Sequence, residues 1–545
     1  MLKKIPLRYS AVLLLPALIC VTRPFYYADS LEYARTIIDT EAGKPNSLFL
    51  ESGHTLWRPL AYALHWLLKP ILDLIVGPSQ FAQVSASLIV SVFILSLVGI
   101  VFLYKLLRVF PISERSVQAV VVLYVVSQCV LNYTQTGTSY QAGLSVVIIA
   151  LYFGLRDPGN PQLKNLLLSG FFFAISTTFW LPYVMVLPAA FLARPLLYGW
   201  RKIEIVSAVQ LTASCLLSAL LLLLPVAAQL HLYTIEAISK WAFRATEATP
   251  YGGIQRTFFG LPKVFFNLGR DAIYVKRFQS HDPYNPVTAS ALLRKGLWKV
   301  ALFYGFVLTV IVSLIRSTKY RKYIPFLLVG MIPTLVLSSA WDGAALERHM
   351  PLIPFLFIGI ALWFDATSNV SRAAFYGMTI LVAVVNISSM WAPKNQALEE
   401  AVGQQLLEVR PRSRPNSVVA ALSPHDEIAE FQSIHPFDSL NQSPPYQIRG
   451  VVDGSRQWKQ QFEGSVSETL QKGGDVWVSR KLLVPRPLDS YYWIENNPLN
   501  ITWKELTDYF RSLPYSDSTS HFVLLNRTAA TLSVVHHPLD SRISN

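Results

Sequence analysis

Hydrophobic residues in this sequence fall into long blocks separated by polar segments. A helix needs roughly 20 mostly apolar residues to cross the hydrocarbon core of a bilayer. Blocks close to this length recur up to about residue 392. They predict a polytopic α-helical membrane domain over residues 1–392 with about eleven transmembrane helices. The predicted spans are 7–25, 81–107, 115–132, 141–155, 164–180, 181–197, 203–228, 297–316, 322–340, 350–364 and 371–391.

Two boundaries in this map need an explanation. The blocks 164–180 and 181–197 are separated only by WLPY at 180–183, where proline and aromatic residues predict a tight turn at the membrane interface. The basic N-terminus and the apolar block after it resemble a signal peptide. The residues that follow, TRPF at 22–25, lack a small-residue cleavage motif, so we interpret the block as an uncleaved first span.

Lysine and arginine are distributed unevenly between the connections. Short cytoplasmic connections are enriched in both residues. Alternate connections are poor in both where they are short, and NYTQTGTSYQ at 132–141 contains neither. The distribution predicts a multi-pass protein of the plasma (inner) membrane with a cytoplasmic N-terminus and an extracytoplasmic C-terminus. The residues assigned to the inner side are Lys105, Arg108, Arg115, Arg156, Lys164, Arg194, Arg201, Lys202, Arg316, Lys319, Arg321, Lys322 and Arg372.

Three longer segments then face the outside: the loops 26–80 and 229–296, and the C-terminal part 393–545. Loop 229–296 is basic, which an anionic ligand would explain, and loops of about 60 residues cross the membrane largely regardless of charge. The C-terminal part has the composition of a small soluble α/β domain. Its predicted strands are Ser417–Leu422, Asp475–Val478, His521–Leu525 and Thr531–Val535, and its predicted helices are Asp426–Gln432 and Thr502–Arg511.

Composition supports this class. Only 15% of residues are charged and the mean hydropathy is +0.37, whereas soluble domains carry about 25% charged residues. The net charge of +14 lies partly in basic pairs beside apolar blocks, so it indicates orientation in the membrane and no nucleic-acid partner. All three cysteines lie in apolar segments and lack metal-site spacing.

Two acids follow directly after the first predicted span. Asp29 and Glu32 are three residues apart, so a helix places both carboxylates on one face. A carboxylate near apolar surroundings has a raised pKa and can act as a general base, or it can bind a divalent cation. The alternative is a solvated helix start, since acids are favoured near a helix N-terminus.

The same loop contains GHTLWRPL at 53–60. Pro59 suits the first turn of a helix, and the leucines after it have helical spacing, which predicts an interfacial helix. His54 and Arg58 lie at the start of that helix, where an anion is favoured, and arginine binds phosphate through its planar fork. An arginine that snorkels to the headgroups is the alternative for Arg58.

A third group lies in the short outer loop WDGAALERHMP at 341–351, which contains Asp342, Glu347, Arg348 and His349. Ionisable residues between two apolar spans are costly and are therefore candidates for function; the alternative is a polar loop with an ion pair. In the basic loop, Arg244 lies four residues after a lysine, and a solvated basic face is its alternative. The sequence has no P-loop, dinucleotide fingerprint, zinc pattern or nucleophile elbow.

These motifs resemble the GT-C superfamily of membrane glycosyltransferases over about residues 1–392. The matches are ADSLEYA at 28–34, HTLWRPL at 54–60, and ERH at 347–349 with Pro351. The last is similar to a Glu-Arg-Tyr/His…Pro pattern of protein O-mannosyltransferase-like and lipid A aminoarabinose transferase-like members. The acids are three apart here rather than adjacent, so the motif leaves open which is catalytic.

The resemblance implies transfer of a sugar from a polyprenyl-phosphate donor to a glycan, lipid or protein acceptor on the extracytoplasmic face. It implies Asp29 as the catalytic carboxylate, with Glu32 beside it. Some relatives use a divalent cation at the first-loop acid, and the sequence leaves this cofactor open. The substrate-binding residues that it implies are Arg58, Arg348 and Arg244 for the donor phosphate, with His54, Glu347 and His349.

Two other functions stay open. A transporter or flippase of a lipid-linked saccharide would usually show internal repeats and a polar site at mid-membrane. The sequence shows no clear repeat, and its ionisable clusters lie at the predicted outer boundary. A non-catalytic envelope scaffold would act through residues 393–545.

Overall fold

A computed structural model describes residues 10–24, 29–43, 48–77, 80–243, 253–268, 278, 287–367, 369–392, 404–422, 446–451, 458–484 and 503–526. The chain forms two compact units, one of residues 1–269 and 298–392 and the other of residues 270–297 and 393–545. Residues 270–297, which the sequence places in an outer loop of the membrane domain, group here with the second unit.

The first unit is helical. Its early helices include α2, which begins right after Asp29, and α3, which carries the predicted interfacial segment. The first ten are α1 (Ser10–Ile19), α2 (Ser30–Glu41), α3 (Trp57–Ile75), α4 (Gln80–Leu107), α5 (Glu114–Val126), α6 (Gln128–Tyr133), α7 (Ser139–Leu155), α8 (Leu163–Phe179), α9 (Leu187–Tyr198) and α10 (Lys202–Gln229). Later helices are Ile235–Phe243, Ile254–Gly260, Trp298–Arg316, Ile324–Ala340, Ile353–Ala366 and Asn369–Ser389.

Seven helices in the described ranges are long and apolar enough to cross a membrane, and α7 and α8 are shorter apolar helices. Every predicted block contains helix, although the number of eleven spans stays a prediction. The chain is an α-helical polytopic membrane protein with a small C-terminal α/β region. The seven candidate spans are Gln80–Leu107, Leu181–Tyr198, Lys202–Gln229, Ala289–Arg316, Arg321–Ala340, Glu347–Ala366 and Ser371–Ser389.

Helix α7 lies at the centre of the first unit, and residues 139–151 are all buried. Its packing depends on glycine: a Cβ on Gly143 would lie 2.4 Å from the ring of Tyr183. Membrane helices associate through such small residues because lipid is as apolar as a leucine side chain. Helix α10 instead exposes leucines, as a lipid-facing helix does: Leu216, Leu217, Leu220 and Leu221.

The backbone breaks between α5 and α6, where Ser127 is extended (φ −68°, ψ 145°). Breaks in the hydrocarbon region are tolerated only where protein satisfies the freed polar groups. Here the Asn386 side chain donates to the carbonyls of Val126 (2.8 Å) and Phe265 (2.7 Å). The amide of Gln128 also donates to the Phe265 carbonyl, over 3.1 Å. A residue of the last helix of this unit thus supplies hydrogen-bond donors to the carbonyls at the break.

Helix α3 confirms the predicted helix after Pro59. One face packs on the unit through Trp57, Ala61 and Leu72. The opposite face is apolar and exposed, which is the pattern of a helix that lies at a membrane surface. Its exposed residues are Trp66, Leu67, Ile71, Leu74 and Ile75.

A buried ion pair joins α9 to α10. The Nε of Arg194 lies 2.7 Å from Glu204, and both side chains are almost fully buried. Arg194 also donates to the carbonyls of Gly154, Arg156 and Asp157, at 3.0, 3.1 and 3.2 Å. It thereby satisfies carbonyls at the C-terminal end of α7, which a helix leaves without partners.

The second unit contains a five-stranded sheet with the order β2-β1-β3-β5-β4. β1 pairs in parallel with β2 and β3, whereas β5 is antiparallel to β3 and β4. The strands are β1 (Ser417–Ala421), β2 (Tyr446–Gly450), β3 (Val476–Ser479), β4 (Tyr515–Ser518) and β5 (Phe522–Leu525), and helices Trp458–Gln471 and Trp503–Ser512 pack on them.

Three predicted strands of this domain and the helix near residues 502–511 are confirmed. The pattern missed β2, β4 and the helix Trp458–Gln471. The predicted helix Asp426–Gln432 and strand Thr531–Val535 lie outside the described residues.

Candidate active site

Asp29 lies at the start of α2, and its carboxylate accepts hydrogen bonds from two tyrosines. The Tyr33 hydroxyl lies 3.3 Å from Oδ2, and the Tyr140 hydroxyl donates to the same oxygen. Tyr33 is one helical turn further along α2, whereas Tyr140 is the second residue of α7. The contact therefore joins the first loop to the centre of the unit. Both bonds use Oδ2, so within the described part of the chain they leave Oδ1 open to a further donor.

Tyr33 remains a hydrogen-bond donor over a wide pH range. Burial and the nearby charge of Asp29 raise its pKa well above the usual value of 10.0. A phenol that does not ionise keeps its proton available for the carboxylate. We infer that the hydroxyl helps to orient the carboxylate.

An aromatic cluster of Tyr133, Tyr140 and Trp180 lies beside Asp29. The ring centres of Tyr133 and Tyr140 are 5.4 Å apart, and those of Tyr140 and Trp180 are 5.0 Å apart, both edge to face. The rings come from the end of α6, the start of α7 and the turn after α8. Edge-to-face pairs are favourable and hold rings at defined angles, so the cluster is a fixed wall between three segments.

The outer loop 341–351, called here the late loop, reaches the same cluster. The Tyr133 hydroxyl donates to Glu347 Oε2 over 2.9 Å. The Arg348 guanidinium lies 3.6 Å from the centre of the Trp341 ring and 5.7 Å from that of Trp180. Such stacking positions the cation over an aromatic face. Its Nε has no hydrogen-bond partner among the described residues.

Three predicted site residues therefore converge. Asp29 contacts Tyr140, and Glu347 contacts Tyr133. Arg348 lies 5.7 Å from the centre of the Trp180 ring. Residues more than 300 positions apart in sequence surround one aromatic cluster. Their catalytic and binding roles stay predictions.

His349 holds the late loop in place. It is fully buried, and its Nε2 lies 3.0 Å from the Gly343 carbonyl. That loop packs tightly on helix Ile254–Gly260, because a Cβ on Gly260 would lie 1.8 Å from the Gly343 oxygen. These contacts support a structural role, and contact of His349 with a substrate stays a prediction.

Arg58 is engaged inside the first loop. Its side chain is 1% exposed, and its guanidinium lies 2.9 Å from Glu51 Oε2 and 3.8 Å from Glu32 Oε1. It also donates to the Leu48 carbonyl and lies 4.7 Å from the centre of the Tyr33 ring. A phosphate would therefore have to displace a partner that the planar fork already holds. Burial also argues against an arginine that snorkels to headgroups.

His54 joins the first loop to α7. Its Nδ1 lies 2.8 Å from the Ser139 hydroxyl and 3.2 Å from the Phe179 carbonyl. Burial lowers the pKa of His54 to about 4, so the imidazole is neutral near pH 7. Three residues later, the Trp57 indole donates to the Gly137 carbonyl over 3.2 Å. The segment GHTLWRPL thus fixes the turn from which Tyr140 projects.

Glu32 is the more exposed of the two first-loop acids, with 53% of its side chain accessible. Partial desolvation and the charge of Asp29 raise its pKa, while Arg58 opposes the shift. It therefore lies at the mouth of the site. Arg244 lies outside the described residues. The neighbouring Lys240 is exposed and pairs with Glu236 over 2.7 Å, as a solvated face would.

A cavity of about 290 Å³, called here the polar cavity, lies beside Glu347. Side chains from α6, the segment 263–268 and the late loop form its wall. Its lining residues are Gln128, Asn132, Tyr133, Lys263, Phe266, Asn267, Leu268, Asp342, Ala345, Leu346 and Glu347.

Among the described residues, the side chains around the first-loop acid do not form the donor set of a divalent cation, and the cofactor stays open. In the ranges that the structure describes, no group of three or more His, Cys, Asp or Glu side chains is placed to hold a metal ion. Ca²⁺ takes about 6–8 oxygen ligands. The acids Glu32 and Glu51 face Arg58 instead. We therefore derive no reaction step through a metal.

Sequence reasoning missed the residues that connect the site, namely Tyr33, Tyr133, Tyr140 and Glu51. Tyr133 and Tyr140 both lie in NYTQTGTSYQ, which the orientation argument used only for its lack of basic residues. Two tyrosines in a short outer connection were a usable signal. Nothing in the sequence marked Glu51 as the partner of Arg58.

Comparisons with known proteins give a fold and no sequence relative. No family model and no curated protein matches the sequence. ArnT from Cupriavidus metallidurans bound to undecaprenyl phosphate matches with a TM-score of 0.54 and 10% identity, over 96% of this chain and 97% of that chain. Its apo form matches with a TM-score of 0.54 and 9% identity, over 96% and 98%.

The archaeal oligosaccharyltransferase AglB from Archaeoglobus fulgidus, in complex with an inhibitory peptide and a dolichol-phosphate, also matches. Its TM-score is 0.50 at 12% identity, over 99% of this chain and 76% of that chain. ArnT and AglB are both GT-C superfamily enzymes. The chain therefore has the GT-C fold, and the resemblance that the motifs predict is confirmed at that level.

Proposed function

We propose that the chain is a glycosyltransferase that moves a sugar from a polyprenyl-phosphate donor to an acceptor on the extracytoplasmic face of the plasma membrane. The observation that carries this proposal is the contact of Asp29, Glu347 and Arg348 with one aromatic cluster within a GT-C fold. Glycosyl transfer from a phosphate needs a carboxylate as base and a cation to stabilise the leaving group.

Asp29 acts as the general base in this proposal. Its Oδ1 takes the proton of an acceptor hydroxyl, whose oxygen attacks the anomeric carbon of the donor sugar. The bond from that carbon to the phosphate oxygen breaks, and the polyprenyl phosphate leaves with the electron pair. Tyr33 and Tyr140 orient the carboxylate through Oδ2.

Arg348 holds the leaving phosphate. Its guanidinium is stacked on Trp341 and keeps an unpartnered Nε in the described part of the chain. A fixed cation stabilises charge that develops on the phosphate as the bond breaks. Arg58 and His54 are positioning residues in this scheme, because their contacts are with the loop and α7. Glu32, at the mouth, contacts the acceptor.

The test is incubation of purified protein with a panel of polyprenyl-phosphate sugars and an envelope extract that supplies acceptors. We expect release of free polyprenyl phosphate together with labelled sugar on an acceptor. Asp29→Asn should lower the rate about 10²–10⁴-fold. Asp508→Asn, which makes the same change at an exposed position of a helix of the second unit, is the control.

Near wild-type transfer by Asp29→Asn would remove Asp29 from the mechanism. Movement of intact donor across proteoliposomes, without release of polyprenyl phosphate, would replace the enzyme with a flippase.

A further inference from the structure

Two tyrosines in contact, Tyr133 and Tyr140, connect the polar cavity to the proposed base. Tyr133 lines the cavity and bonds Glu347, and its ring contacts that of Tyr140, which bonds Asp29. A group held in the cavity would therefore lie next to the reacting centre. Gln128 and Asn132 of α6 and Lys263 line the same cavity.

The lining has the chemistry that recognises hydroxyl groups. It combines three amides, two carboxylates, one ammonium and one phenol with the apolar side chains of Phe266, Leu268 and Leu346. Pockets for small molecules have this mixture of apolar wall and few convergent polar groups. Sugar rings present hydroxyls around a carbon skeleton, and both kinds of wall group are needed to hold them.

Gln128 is the sharpest indication of a missing ligand. The residue is 6% exposed, and its Oε1 has no hydrogen-bond partner in the part of the chain that the structure describes. A buried acceptor without a donor is costly. A ligand hydroxyl would satisfy it, and Gln128 is held by its backbone bond to Phe265 whatever the side chain does.

The size and charge of the cavity restrict the ligand. A volume of about 290 Å³ is close to the lower limit of the roughly 300–1,000 Å³ of ligand pockets, which suits one ring. Asp342 and Glu347 contribute two carboxylates against the single ammonium of Lys263, which already donates to the Ala344 carbonyl over 2.7 Å. A carboxylate on the ligand would meet like charge.

We propose that the polar cavity binds one sugar ring that carries no carboxylate, and that it selects against uronic acids. This inference rests on the proposed function for the identity of the ligand as the transferred sugar. Binding of a sugar ring to the cavity can be measured without sugar transfer.

Saturation-transfer NMR on the full-length protein in detergent measures binding of methyl pyranosides, one neutral and one with a carboxylate. We expect the neutral ring to bind and the uronoside to bind about tenfold more weakly. Gln128→Leu should weaken binding of the neutral ring about tenfold, whereas Gln471→Ala, at an exposed position of a helix of the second unit, should not. Asp342→Asn should restore binding of the uronoside.

Equal binding of both rings, or no effect of Gln128→Leu and Asp342→Asn, would overturn the inference. The donor panel then separates the two proposals. Selective binding of the neutral ring without turnover of any donor contradicts the glycosyltransferase and leaves the cavity assignment standing. Turnover of a uronate donor as fast as a neutral donor contradicts the cavity assignment alone.

Discussion

Two regions of the first unit each place an arginine near a glutamate, and they use them differently; Arg194 and Glu204 are buried, whereas Glu347 and Arg348 are partly exposed. Arg194 and Glu204 form a 2.7 Å pair, and three backbone carbonyls complete the guanidinium. Glu347 and Arg348 are neighbours in sequence, and Glu347 accepts a hydrogen bond from Tyr133 over 2.9 Å. Arg348 stacks on aromatic rings and keeps an unpartnered Nε. The first arrangement is complete without a ligand, and the second is not.

The difference separates stability from function. Removing one member of a buried pair leaves an uncompensated charge in a low-dielectric interior. The Arg348 cation is stacked on rings and does not use all of its donors. Removing it should therefore change the free energy of unfolding only a little. Substitutions at the two arginines should therefore change different measurements.

The largest expected effect is at Arg194. Arg194→Met leaves Glu204 buried without its main partner and frees three carbonyls, so we expect about 3–5 kcal/mol of destabilisation. Thermal unfolding in detergent measures it. Arg201 also pairs with Glu204 but is 56% exposed, and Arg201→Ala should cost less than about 1 kcal/mol. Equal effects at the two positions would contradict the assignment of Arg194 as a structural residue.

At Arg348 we expect loss of activity without loss of stability. Arg348→Met should lower the rate of sugar transfer about 10²–10³-fold, as removal of one electrostatic stabiliser does. The melting temperature should stay close to that of the wild type. Arg348→Lys keeps the charge without the fork and should recover part of the rate. A large drop in melting temperature would make Arg348 a second structural arginine.

The third prediction concerns pH. The pKa of His54 falls from 6.5 to about 4 in the folded chain, so the unfolded chain binds more protons between these values. Stability should be complete above about pH 6.5 and decrease by about 2–3 kcal/mol as the pH falls towards 4. Unfolding followed across this range measures the loss. His54→Gln should flatten the profile, and an unchanged slope would exclude His54 as the source.

The smallest effect is expected at Tyr140. Tyr140→Phe keeps the ring in the aromatic cluster and removes the hydroxyl that donates to Asp29, so transfer should slow about tenfold, the equivalent of one hydrogen bond. Tyr124→Phe removes the hydroxyl of a buried tyrosine of α5 that contacts Gln141 and is the matched control. Equal rates for the two variants would remove the Asp29–Tyr140 contact from the mechanism.

The sequence predicts the helical architecture well because apolar length is a local property. It also identified Asp29, Glu347 and Arg348 as candidates, since charges between apolar blocks are conspicuous. It could not predict which side chains these residues contact. The contacts of Arg58 with Glu51 and of Tyr133 with Glu347 depend on how distant segments pack. For the same reason, His54 could not be recognised as a buried neutral residue.

In the second unit, the missed strands have a different cause. β4 is a short, mostly exposed edge strand with the polar sequence YSDS. β2 is also an edge strand, since only β1 pairs with it. Edge strands carry little hydrophobic alternation, which is the signal on which strand prediction depends.

The break at Ser127 has a consequence for biogenesis. The carbonyls of Val126 and Phe265 receive their side-chain donor from Asn386, more than 250 residues after the break. While the ribosome is still making the intervening chain, these polar groups have no such donor within the membrane. During synthesis, these carbonyls therefore need other partners until helix Asn369–Ser389 is inserted. A chain truncated before that helix would keep unsatisfied polar groups in the membrane, and we expect membrane quality control to degrade it.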